Sequence, residues 1–149
     1  MKNINATDTN MLDPETYCEA IKTYDSVFAR AFEYAKRAIG TIPEEATRAF
    51  MVQYEDATGY PAEENSTKAG IVDVLAAKWL AKHTDEPSVI KWIHDLWSWH
   101  RLSEGWTYAP VKDKANKKNP CLKAFELLTP EEISWDQMFL DLYKKTIKI

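Results

Sequence analysis

Four of the seven prolines in this 149-residue chain stand where a helix would begin, and that fixes the class of fold before anything else. Asp13-Pro14-Glu15 supplies an N-cap, a proline at the first helical position and an acid in the first turn. Thr41 to Glu44 has capping-box spacing around Pro43, Thr84-Asp85-Glu86-Pro87 repeats the opening signal, and Thr129-Pro130-Glu131-Glu132 is a further capping box.

Apolar residues follow each start at helical spacing. Tyr17, Ile21, Tyr24, Phe28, Ala31, Ala35 and Ile39 predict one long amphipathic helix closed by Gly40. Ala46, Phe50, Tyr54 and Ala57 predict a second, ended by Gly59. A third, capped by Ser66 and running to about Lys82, turns Ile71, Val72, Leu75, Trp79 and Leu80 inward. The fourth runs to Glu104 with Ile90, Ile93, Leu96, Trp97 and His100 near one side, and Gly105 stops it. The last carries Ile133, Trp135, Phe139, Leu142, Tyr143 and Ile147, and Leu122, Phe125 and Leu128 anchor the preceding loop. The expected fold is mainly α: five helices, with one or two short extended pieces near 106–112.

Charge and cysteine content narrow the function classes. The chain has a net charge of -4, which argues against general nucleic-acid binding. Residues 1–86 hold 9 basic against 15 acidic side chains, a net of -6, and residues 87–149 hold 10 against 8, a net of +2. Cys18 and Cys121 are far apart in sequence and read as free thiols. No signal peptide or membrane-spanning apolar run is evident, so a cytoplasmic protein is expected. The expected organisation is an N-terminal region, 1–86, with a loose tail at 1–12 and three helices, followed by a distinct unit at 87–149.

That second unit holds most of the chemistry. Trp97, His100, Arg101, Trp106, Tyr108, Lys112, Asp113 and Lys117 fall within a short stretch. An aromatic face with cations nearby suits a flat base carrying phosphates, so these eight are the candidate ligand-binding residues. The competing reading makes Trp97, Trp106 and Tyr108 core residues beside a solvated lysine loop. His83, His94 and His100 lack metal-ligand spacing, and no nucleophile or phosphate-loop motif is present, so neither metal, cofactor nor catalysis is expected. A hydrolase or transferase would have to use His100, Glu104 and Lys117.

The same unit carries His94-x-x-Trp97, Gly105-Trp106-x-Tyr108, Pro110, Asp113, Lys117, Pro120-x-Leu122, Phe125, Leu128, Pro130-Glu131-Glu132 and Trp135-Asp136 in order. This pattern, over about 88–149, resembles the RyR domain, the repeat of the ryanodine-receptor channels, also found in small prokaryotic and phage proteins. Ala109, Lys112, Asn119 and Ala124 stand where the family usually has glycine, arginine, histidine and proline. The resemblance implies a non-enzymatic binding module, a sensor or sequestering protein for a small, anionic, nucleotide-derived ligand. The alternative it implies is an assembly module acting as a homodimer or higher homo-oligomer.

Overall fold

The structure, a computed structural model, describes residues 13–148 and is mainly helical. The expected tail at 1–12 lies outside the described residues. In chain order the helices are α1 (Pro14–Lys22), α2 (Asp25–Ala38), α3 (Glu44–Thr58), α4 (Glu64–His83), α5 (Val89–Ser103) and α6 (Pro130–Thr146), with 3-10 turns at Ile39–Thr41 and Phe125–Leu127.

Among the described residues six helices replace the expected five, because the first apolar stripe is shared by two of them. Tyr17, Ile21, Tyr24, Phe28, Ala31 and Ala35 are all buried, as the spacing predicts, yet the backbone leaves the helix at Thr23 and Tyr24. The Thr23 hydroxyl donates to the Ala20 carbonyl at 2.6 Å, closing α1. The break lets α1 lie on α5 while α2 runs along α4. Small side chains at Ala31, Ala35, Ala76 and Ala77, all fully buried, keep α2 and α4 thin where they are covered.

Helix starts differ from the sequence reading in similar detail. Thr41 turns its hydroxyl back to the Ala38 carbonyl, so α3 starts after Pro43 without a side-chain cap. Glu63, not Ser66, caps α4, accepting from the Asn65 and Ser66 backbone N–H groups. Ser88 caps α5. At α6 the capping box forms as expected, with Thr129 and Glu132 each accepting from the other's backbone. Gly59 and Gly105 stop their helices with φ of 74° and 92°, conformations that cost glycine nothing.

Among the described residues there is no strand. The expected extended pieces near 106–112 reduce to isolated bridges of Thr107 and of Asp113 with Lys118. The chain is too short there to build a ladder: Asp113 and Lys118 exchange backbone hydrogen bonds around a four-residue turn.

The core is continuous across the chain. Tyr17 and Phe28 from the first two helices, Phe50 from α3, Ile71 and Leu75 from α4, and Trp92 and Leu96 from α5 belong to it, as do Leu122 from the loop and Tyr143 from α6. Burial of this apolar area is the main favourable term in the fold. Ala57, expected inward on α3, is exposed, and Trp135 on α6 is 49% exposed. No helix among the described residues is long and apolar enough to cross a membrane.

Candidate functional site

The helices leave a cleft between α3, α4, α5 and α6, with a volume of about 660 Å³ and an open mouth. Tyr54, Trp97, Trp135 and Phe139 supply aromatic walls, and Ile93 and Val74 add aliphatic surface. Tyr54 meets Trp135 edge to face, ring centroids 5.8 Å apart. Phe139 reaches its place because residue 70 is glycine: a Cβ there would lie 2.4 Å from Phe139 Cζ. A glycine inside α4 weakens the helix by about 1 kcal/mol relative to alanine, so the contact with Phe139 gives it a reason to be there.

Three acids face the same space. Glu63 closes one end from the loop before α4, where the Ser66 hydroxyl and N–H and the Asn65 N–H hold its carboxyl below the usual range. Asp73 on α4 and Asp136 on α6 lie deeper, and burial with the charge of Asp73 pushes Asp136 up to about 6. His100 Nε2 stands 3.6 Å from Asp73 Oδ1. Among the described residues no lysine or arginine lines the cleft.

The eight candidate ligand-binding residues do not gather in one place. Trp97 alone lines the cleft, and His100 reaches it only through Asp73 while its ring lies against Phe32 and Trp99. Arg101 pairs with Glu104 at 2.8 Å. Trp106 and Tyr108 are half-buried and pack on the core, with the Trp106 N–H donating to the Arg101 carbonyl. Lys112, Asp113 and Lys117 belong to the exposed turn. There the Asp113 carboxylate accepts from Asn116, and Lys117, at φ 54°, donates to the Glu104 carbonyl at 2.7 Å. The stretch was expected to wall one pocket; instead the loop folds its aromatics onto the core, while Lys117 donates to the Glu104 carbonyl and Lys118 to the Thr107 hydroxyl. None of the hypothetical catalytic set, His100, Glu104 and Lys117, lines the cleft.

A second polar group, unforeseen in the sequence, lies inside the core behind α5. The Tyr17 hydroxyl donates to Asp95 Oδ1 at 2.7 Å. Its oxygen is also 3.0 Å from Ser98 Oγ, and since Tyr17 has one proton to give, Ser98 is the donor there. Burial pushes Asp95 up to about 7 against the pull of Tyr17 and Lys91. His94 Nε2 lies 2.6 Å from the Lys123 carbonyl, and burial lowers its imidazole to about 4. A neutral ring must donate to that carbonyl, which fixes the tautomer with the proton on Nε2. Lys91 bridges Glu86 at 3.1 Å and Glu126 at 3.0 Å. None of Tyr17, Lys91, His94, Asp95 and Ser98 lines the cleft, and the network reads as structural.

Asp73 and Asp95 were marked in the sequence, although by an unused signal. Each is a single acid inside an apolar run, Ile71-Val72-Asp73-Val74-Leu75 and Trp92-Ile93-His94-Asp95-Leu96-Trp97. An acid on the buried side of a helix needs a partner or a task.

A helical protein with an aromatic, acid-lined cleft between its middle and last helices is the class that fold and geometry define. Residues 80–148, which hold α5, the loop and α6, match the model of the RyR domain family. The match opens inside α4, seven residues before the boundary expected at 87. No solved structure matches the chain.

Proposed function

We propose that this chain is a non-enzymatic RyR-domain protein that binds a small molecule in the cleft between α3, α4, α5 and α6. The observation that carries the reading is about 660 Å³ of open space walled by Tyr54, Trp97, Trp135 and Phe139. That volume is in the range of small-ligand sites, and aromatic faces suit a flat ring. A nucleotide-derived ligand fits through its base, with any phosphates directed out of the mouth. The preference for an anion expected from the lysine-rich loop draws no support from a lining that, among the described residues, has three acids and no lysine or arginine. A sensor or sequestering role for such a binder belongs to the proposal, as does a cytoplasmic location.

Ligand-observed NMR tests the reading with a panel of nucleobases, nucleosides, cyclic and linear nucleotides and neutral aromatic compounds. The control is Ala69→Trp, a change at an exposed position on the cleft wall. Saturation transfer to at least one compound, lost in the variant, is the expected result. Silence from every compound overturns it.

The assembly reading has one observation in its favour, the half-exposed Trp135 at the cleft. Light scattering on wild type and Trp135→Ser decides it: a dimer that the substitution dissolves supports assembly, and a monomer in both removes it.

A further inference from the structure

Several acids in this protein have visible work. Glu63 and Glu132 cap helices, Asp113 holds its turn, and Asp95 accepts from Tyr17. Asp136 differs. It sits inside α6, capping nothing, and among the described residues no hydrogen bond or ion pair engages its carboxyl. Its neighbour in the cleft is another acid, Asp73, whose one close polar contact is His100 at 3.6 Å.

Two carboxyls sharing a partly dry space repel each other and lose hydration without recovering it. An arrangement of that kind is stable in proportion to what neutralises it, and among the described residues no lysine or arginine lines the cleft to do so. The walls are the other half of the argument. Electron-rich faces of Trp97, Trp135 and Tyr54 attract positive charge and repel none of it.

We infer that the cleft takes an organic cation, a protonated amine or guanidinium on a flat apolar body, with its N–H groups donated to Asp73 and Asp136 and its body against the tryptophan rings. This deepens the small-molecule reading above and rests on it. A bare metal ion suits the site less well. Among the described residues no three His, Cys, Asp or Glu side chains gather to hold one, and an ion would leave the aromatic walls without an occupant.

Two sets of matched probes separate charge from shape: tyramine, 4-ethylphenol and 4-hydroxyphenylacetate, then tryptamine, 3-ethylindole and indole-3-acetate. Calorimetry at pH 7.5 and low salt is expected to place the ammonium member of a set about tenfold or more ahead of its neutral twin, with the carboxylate last. Asp136→Asn should bring the amine to within about threefold of the neutral compound while leaving the latter unchanged. Asp73→Asn repeats the measurement should the first variant fail to fold.

Lowering the pH to 5 should weaken amine binding in wild type, because protonating Asp136 through about 6 removes the negative charge. Glu63 and Asp73 face the same space and His100 lies beside Asp73, so the Asp136→Asn profile isolates the Asp136 share. Equal binding within both sets, preference for the carboxylates, or silence from all six probes overturns the inference. The broader small-molecule reading falls only if the earlier panel is silent too.

Discussion

His94 and Asp95 are adjacent in sequence, both buried, and burial drives their ionisation in opposite senses. His94 is held neutral, its value falling from 6.5 to about 4, so the stability it contributes is complete above 6.5 and is lost as pH falls toward 4. Asp95 is raised from 3.8 to about 7, so its protonated form is favoured by folding and that advantage fades as pH rises from 4 to 7. Across pH 4 to 6.5 the two slopes oppose, each spanning on the order of 3 kcal/mol. Asp95→Asn keeps an acceptor for the Tyr17 hydroxyl and removes one slope. Urea unfolding should find the variant about 2 kcal/mol more stable than wild type at pH 7.5 and level with it at pH 4. A variant less stable at pH 7.5 would mean that Lys91 and Tyr17 hold Asp95 ionised.

At the scale of elements, Glu132 links three pieces of chain. Its carboxylate accepts from the Thr129 N–H at 2.9 Å, pairs with Lys123 at 3.3 Å, and takes the Cys121 thiol at 3.2 Å. Thr129→Ala removes a cap alone and should cost about 1 kcal/mol. Glu132→Ala also frees the loop at 121–123, so thermal unfolding should show a larger loss, about 2 kcal/mol. The thiol supplies a second readout. Burial, then the Glu132 carboxylate, pushes Cys121 up to about 11, so Glu132→Ala should speed its alkylation at pH 8. An unchanged rate would assign the protection to burial alone.

These elements were largely legible in the sequence, and the exceptions have physical causes. Caps and spacing marked α6 from Pro130 and the glycine stops at 59 and 105, because each is a local contest that nearby residues settle. The break at Thr23 and Tyr24 was hidden because the apolar stripe keeps its phase through it. The cleft was hidden for another reason. Tyr54, Asp73, Trp97 and Asp136 come from four helices, and no window of sequence contains their meeting. Crowding of Trp106, Tyr108 and the lysines in one window suggested a site where the chain builds a packed corner and a turn.

On the scale of the whole molecule, the folding unit is longer than the matched unit. Residues 80–148 include Trp92, Leu96 and Asp95, but Phe28, which meets Trp92 edge to face at 6.0 Å, and Tyr17, the donor to Asp95, precede them. A fragment of 80–148 alone should therefore bind hydrophobic dye and lack a cooperative thermal transition, while 13–149 should unfold in one step. Calorimetry on both fragments decides; a cooperative shorter fragment would show that the RyR part stands by itself.

The cleft lies across this division. Tyr54 and Asp73 belong to the stretch before residue 80, Trp97 and Asp136 to the stretch after it. An occupant touching both sides works as a clasp: its binding energy counts against any motion that parts the early helices from the late ones. Hydrogen exchange would then slow in α4 and α6 together, and occupancy would be sensed as stiffness far from the mouth through which the occupant entered.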